Sequence, residues 1–416
     1  MFTRILLVLV FSVSFSIGCS ALQLEWGGKF DCQSNYYGIN QGSYLNPGNH
    51  ILELASLDSR IQMKLDLDSW LGERLRFYLR DRMGWVVDND ESSLENSLDE
   101  LYLELNPSES LFLRLGKENI TEGVGYAWNP TDFLTGLDGD NQGEDTREGR
   151  ENREGVICLK GEYFLSDLTL TAVVAPKMEQ WGQGADTRAL IKIYALMENF
   201  DISLTAYAEE NKRPELGLNF SSTMGESLEV HSEVSLQEGI YRYYVDQVDG
   251  GYYEFIQKNR ENGQLYPRVL VGGQYTFSDN INLILEYYHN QEGYNSSEWT
   301  DYLEYLKFCG ERYKDDSLYV TYLLIGNTYF TLTNLRQNYL FLRFSKPDIR
   351  DFFEVSWNNI YNLDDASLLI NAKIDYQRMD DFSVYLSGDF FLGDASSEFG
   401  MFHQNCTFSA GVEYFF

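Results

Sequence analysis

The stretch "GERLRFYLRDR" sets Arg74, Arg76, Tyr78, Arg80 and Arg82 at alternate positions, with Leu75, Phe77 and Leu79 between them. Successive side chains of an extended chain point to opposite faces, so the basic groups share one face and the apolar groups the other. The preceding "LDSRIQMKLDL" repeats this, with Leu57, Ile61, Met63 and Leu65 against Arg60, Gln62 and Lys64. Arg114 beside Phe112, Lys160 beside Leu159, Lys192 between Ile191 and Ile193, and Lys373 between Ala372 and Ile374 extend the pattern. The chemistry open to such a face is electrostatic. It pairs with wall acids such as Glu100 and Glu104, or it sets a transverse field that biases which solutes pass.

Bond-breaking chemistry has no comparable signature. His50, His231, His289 and His403 lie on scattered segments, without a Gly-x-Ser-x-Gly elbow or a His-Glu-x-x-His helix. Acids are plentiful but form no evident acid–base pair, so no catalytic residue, cofactor or enzymatic activity is expected. Between Val86 and Phe112 there is no Lys or Arg, only Asp88, Asp90, Glu91, Glu95, Asp99, Glu100, Glu104 and Glu109. The "DNDESS" within it starts like a calcium loop but lacks the glycine of the sharp turn, so a solvated outer loop is expected and no metal site. Cys32, Cys158, Cys309 and Cys406 lack metal-ligand spacing, and in an oxidising compartment they permit three pairings.

These faces exist only if the segments are strands, and the rest of the chain supports that. Of 416 residues, 15% are aromatic and only seven are Pro, a mixture that suits strands. "LFLRLGK", "YLFLRF" and "NINLILEYY" repeat the period of two. Short turns are expected near Asp68-Ser69, Asn106-Pro107, Ser166-Asp167, Glu198-Asn199, Gly225-Glu226, Ser278-Asp279, Lys346-Pro347-Asp348 and Met379-Asp380. Long connections are expected near 31–50, 84–97, 118–152, 179–187, 238–266, 291–336 and 392–402, with short outer ones near 211 and 362–365. This alternation predicts an all-β, antiparallel, up-and-down transmembrane barrel of about 18 strands (roughly 16–18). Leu318 to Leu335 reads as either loop or an extra hairpin.

The ends fit the same reading. Met1 to Arg4 is basic, Ile5 to Ile17 apolar, and Cys19-Ser20-Ala21 small, as in a secretory signal peptide. Residues 1–21 are expected to leave by cleavage after Ala21, with lipidation at Cys19 the alternative, and 22–416 to form one barrel domain. In "NCTFSAGVEYFF", Phe408, Ala410, Val412, Tyr414 and Phe416 alternate, which resembles the terminal signature that barrel assembly machinery reads in outer-membrane proteins. With 64 acidic and 32 basic residues the net charge is −32, which argues against nucleic-acid binding.

One longer stretch carries a resemblance to a family. "LRLGKENITEGVGYAWNPTDFL", Leu113 to Leu134, takes a strand into Gly116-Lys117 and then Gly123, Gly125, Trp128, Asn129-Pro130 and Asp132. It is similar to a segment of porin-like Gram-negative outer-membrane barrels of the alginate-export and phosphate-porin kind. Glu122 departs from the Trp often found before that glycine. The resemblance implies a loop folded inward as a constriction, built from Glu118, Glu122, Gly123, Gly125, Trp128, Asn129, Pro130 and Asp132. Glycines would let the backbone turn away from the wall, and Asn129-Pro130 would hold an extended turn. The acids would then oppose the basic ladder, and residues 136–155 would lie at the surface.

The expectation is a porin of the cell outer membrane, a passive diffusion channel for small hydrophilic solutes with a charged constriction. The alternative is a dedicated sugar or polysaccharide channel with Tyr78, Tyr102, Phe112 and Tyr194 as a stacking track. A barrel sealed by its loops, serving adhesion or structure, is a third class. Expected partners are outer-membrane lipid, lipopolysaccharide and the assembly machinery, with monomer and homotrimer both open.

Overall fold

A computed structural model of the chain describes residues 22–88, 91–134, 153–179, 183–184, 186–248, 252–257 and 263–416. The expected signal segment, and most of the 136–155 stretch, lie outside the described residues. The first strands are β1 (Leu22–Ile39), β2 (Leu57–Leu71), β3 (Leu75–Asp88), β4 (Glu91–Ser108), β5 (Leu111–Glu118), β6 (Val156–Leu165) and β7 (Leu168–Ala175). They are followed by β8 (Arg188–Leu196), β9 (Phe200–Glu209), β10 (Glu215–Met224), β11 (Leu228–Glu238), β12 (Tyr244–Val248), β13 (Tyr252–Ile256) and β14 (Leu265–Thr276). The last are β15 (Asn282–Asn290), β16 (Asn338–Ile349), β17 (Phe353–Asn362), β18 (Leu368–Met379), β19 (Phe382–Leu392) and β20 (Gln404–Phe415).

Eighteen strands form one antiparallel sheet in chain order, and β20 returns to pair with β1, closing the barrel. The hairpin β12–β13 stands apart as a separate two-stranded sheet. Closure follows from the pattern of period two: Leu24, Trp26, Phe30 and Tyr36 of β1 are exposed on the outer skin, while their alternates face inward. At the seam Lys29 lies opposite Phe415, and the Gly28 and Phe416 main chains exchange N–H···O bonds of 3.0 and 3.1 Å. A Cβ on Gly28 would lie 2.6 Å from the Phe416 ring and 2.3 Å from the Lys64 carbonyl, so glycine makes the notch into which that ring fits.

The short turns fall at 72–74, 109–110, 166–167, 197–199, 225–227, 277–281, 350–352 and 380–381. Three differ from the sequence reading. The first lies on Gly72, whose φ of 64° is left-handed, and so Asp68-Ser69 stay in β2. Asn106 likewise stays in β4, where its N–H donates to the Arg74 carbonyl. Pro347 lies within β16, at a register shift between Lys346 and Ile349, a place where a missing donor is tolerated. The long connections expected at 31–50 and 84–97 are also corrected, because β1 runs on to Ile39 and the β3–β4 ladder continues to Asp88 opposite Glu91.

Residues 318–335 hold neither loop alone nor hairpin. The connection from β15 to β16 carries two helices, α1 (Ser296–Gly310) and α2 (Leu318–Thr328). Asn295 caps α1, accepting from the N–H groups of Ser297 and Glu298, while Glu298 accepts from the Asn295 N–H. Trp299, Tyr302, Leu303 and Leu306 repeat at helical spacing and are buried with Tyr244, Val245, Leu45 and Met401 in one apolar cluster. Tyr313 donates to the Pro47 carbonyl, Asn327 to that of Leu45, and the Trp299 indole to that of Ser396. The connections 40–56, 291–337 and 393–403 are thus tied into one hood, together with the hairpin β12–β13. All four cysteines among the described residues are free.

Replacing Gly28 by Val should force the seam apart at a cost of about 1–3 kcal/mol. Refolded Gly28→Val should show a smaller heat-modifiable, fast-migrating fraction on electrophoresis than wild type. Equal fractions would show that the notch is dispensable.

Candidate functional site

Inside the barrel, the basic residues meet acids strand by strand. Arg76 on β3 donates to both oxygens of Asp68 on β2, at 2.9 and 2.6 Å, and lies 3.9 Å from Glu104 on β4. Arg80 bridges Asp66 at 2.6 Å and Glu100 at 3.3 Å. Arg82 reaches Asp99 at 3.1 Å, helped by a bulge that shifts the β3–β4 register after Arg80. Arg114 on β5 meets Glu104 and Glu118, each at 2.6 Å, and Lys160 on β6 meets Glu118 at 3.0 Å. Lys192 on β8 pairs with Glu122, and Arg60 meets Glu95 at 3.5 Å. Lys64 lies in register between Lys29 and Arg82.

Arg74 is the exception: it sits exposed in the 72–74 turn, before β3 begins, because Gly72 sets the turn there. The sequence reading named Glu100 and Glu104 as wall acids but passed over Asp66 and Asp68. Both alternate with Leu65 and Leu67 on the face already assigned to Lys64, so the signal was present. Aromatic rings fill the gaps between the charges. Tyr78 and Tyr102 stack at 5.2 Å, with Arg76 5.3 Å and Arg80 5.7 Å from the Tyr78 centroid and Arg114 5.4 Å from that of Tyr102.

The wall of β17 to β20 and β1 is different in kind. Registered inward positions there include Ser356, Asn358, Asn371, Ser387, Ser409 and Asn35. Asn358 donates to Asn371 at 3.1 Å, and Asn371 donates to Asp389 at 2.6 Å, a chain of amides across three strands. Among the charges on this wall, Lys29 pairs with Glu413 and Lys373 with Asp375, while Asp389 is held by the Asn371 amide.

Residues 119–134, at the start of the connection from β5 to β6, fold inward and fasten to the wall far from their origin. Val124 and Gly125 donate their N–H groups to Oε1 of Glu233 on β11, at 2.5 and 2.7 Å. Tyr126 and Ala127 donate to the two oxygens of Glu286 on β15, at 2.6 and 2.9 Å. Trp128 stacks on Tyr288 at 5.0 Å, contacts Tyr339 and Phe341, and donates its indole N–H to the Thr333 carbonyl. Asn129 accepts from the Gly125 N–H, and Pro130 completes the turn before Thr131, which donates to Glu233. The segment then returns along β7 to β10, with Phe133 stacked on Tyr207 and buried beside Val173 and Leu190.

Gly123 has a φ of 103°, and a Cβ there would come within 2.7 Å of Glu233 Oε1. The glycine lets the backbone approach the carboxylate. Of the acids assigned to the loop, Glu118 is instead the last residue of β5, a wall residue paired with Arg114 and Lys160, whereas Glu122 lies in the loop and pairs with Lys192. Asp132 instead pairs with Arg153 at 2.9 Å, both buried. Glu233, Glu286 and His231 were missed, since nothing local to β11 or β15 announces a partner from the other side of the barrel.

At the mouth, Glu398 is fully buried in the 393–403 connection, accepting from the Tyr339 hydroxyl at 2.7 Å and Asn362 at 2.6 Å. Burial pushes its carboxyl up to about 8, with Asp365 adding to the rise and Arg336 opposing it. His403, packed against Phe402 and Phe330, is pushed down to about 4 by burial.

No family model matches the sequence, and no curated protein matches it. Solved structures do resemble it. OccK5 (OpdH) of Pseudomonas aeruginosa aligns at 8% identity with a TM-score of 0.53, covering 94% of this chain and 98% of that one. OccAB1 of Acinetobacter baumannii aligns at 10% and 0.53, over 94% and 96%. OccK11 (OpdR) of Pseudomonas aeruginosa aligns at 11% and 0.53, over 95% of each. At these identities the likeness is one of fold.

The two titrations at the mouth have opposite signs. The raised Glu398 adds stability below its ordinary range that is lost as pH climbs through about 8. The lowered His403 adds stability at neutral pH that is lost as pH falls through about 4. Protease cleavage within 393–403 should therefore be slowest between the ordinary carboxyl and imidazole values, about 4.5 and 6.5, and should rise toward 8 and toward 4, with Glu398→Gln flattening the alkaline limb. A flat profile in wild type would contradict this assignment.

Proposed function

We propose that residues 22–416 form an outer-membrane porin, a passive diffusion channel for small hydrophilic solutes, exported by a cleaved signal at residues 1–21. The observation that carries this reading is a closed 18-strand barrel with a polar interior, whose inward loop is fastened to one part of the wall. Water and small solutes would pass between the paired-charge wall of β2 to β6 and the amide and hydroxyl wall of β17 to β20. An apolar outer skin over a polar interior is what a lipid-embedded barrel requires. Lipid, lipopolysaccharide and the assembly machinery are the partners this placement entails. Either a monomer or a homotrimer could present the same pore.

The pairing decides the electrical behaviour. Arg76, Arg80, Arg82, Arg114, Lys160 and Lys192 all lie against carboxylates, so their fields largely cancel. The chain's net charge of −32 then favours cations at the mouth. Purified protein in planar bilayers should conduct and, in a salt gradient, show weak cation preference. Arg76→Ala with Arg80→Ala and Arg114→Ala would strip the partners from Asp66, Asp68 and Glu104, raising the cation/anion permeability ratio by about twofold or more. Absence of current would refute the channel, and a strongly anion-selective wild type would refute the cancellation.

A further inference from the structure

Glu233 and Glu286 are inward-facing carboxylates with no exposure to solvent. Unlike Asp66, Asp68, Glu100, Glu104 and Glu118, they have no Lys or Arg partner among the described ion pairs, where Glu286 meets only His231, at 2.9 Å. Their acceptor positions are filled by one loop instead. Glu233 takes the N–H groups of Val124 and Gly125 on one oxygen, and on the other the hydroxyl of Thr131 at 2.8 Å and its N–H at 3.3 Å. Glu286 takes the N–H groups of Tyr126 and Ala127.

The surrounding sequence makes room for this arrangement. Gly272 of β14 lies in register with both His231 and Glu286, and a Cβ there would sit 2.6 Å from the His231 ring and 2.7 Å from the Glu286 side chain. Asn219 of β10 lies 2.9 Å from the Thr131 hydroxyl oxygen. Loop and glutamates need each other: a buried carboxylate without donors is costly, and so are buried N–H groups without an acceptor.

We propose that Glu233 and Glu286 are positioning residues for the constriction, a two-point latch that holds residues 124–131 on the β10 to β15 wall and keeps the rest of the bore clear. The inference rests on the channel reading above. With the latch removed, the loop leaves the wall and intermittently obstructs the passage between β2–β6 and β17–β20.

The test is single-channel recording of the full-length protein carrying Glu233→Ala and Glu286→Ala, with heat-modifiable migration as the check on folding. Wild type should give steady openings; the folded double variant should flicker to lower levels, with mean current reduced by about twofold. A steady current of unchanged size in the folded variant would overturn the latch. Should the double variant not fold, it is made together with Thr131→Cys and Asn219→Cys, whose disulfide fastens the loop to β10 in place of the glutamates. The oxidised, cross-linked protein should be quiet and the reduced protein should flicker; identical traces would overturn the proposal. If wild type itself passes no current, the channel reading fails separately. The latch is then judged by proteolysis, with cleavage within 119–134 expected to rise in the double variant and an unchanged pattern counting against it.

Discussion

Much in this molecule follows from the requirement that a sheet leave no backbone donor or acceptor along its edges without a partner. An open sheet would expose two edges, and only a return of β20 onto β1 removes both. Closure in turn divides every strand into an outer and an inner face. All polar side chains that are to be functional are then assigned to a confined interior, where each must find a partner or water.

That confinement explains why a basic ladder does not make a basic surface. Guanidinium groups gathered on β3 and β5 would repel one another if unmatched. Asp66 and Asp68 on one side, and Glu100, Glu104 and Glu118 on the other, supply the match, with Tyr78 and Tyr102 stacked between the cations. The interior is therefore divided by type of polarity, ion pairs on one arc and amides and hydroxyls on another.

What the sequence revealed depended on how local the deciding contact was. The faces of β2 and β3 were legible because period two is a property of neighbouring residues, and Gly123, Gly125 and Asn129-Pro130 were legible as places where a chain must turn. The turn at Gly72 was placed early because Asp68-Ser69 also looks like a turn, whereas the ladders with β1 and β3 carry both residues on to Leu71. Helices α1 and α2 were overlooked because the segment was read for alternation, although Asn295 with Glu298 and the spacing of Trp299, Tyr302 and Leu306 carried a helical signal. The role of Glu233 and Glu286 could not be read at all, since their partners lie more than a hundred residues away in the chain and meet them only once the barrel has closed.

The seam brings together residues 384 positions apart, as in the pairing of Lys29 with Glu413. Contacts so distant along the chain form late, because the entropy of closing the intervening segment is lost before any seam bond is made. Until then the nascent sheet has two sticky borders, each able to recruit a neighbouring molecule as readily as its own far end. Crowding of half-made barrels is thus the step at which biogenesis is most exposed to aggregation.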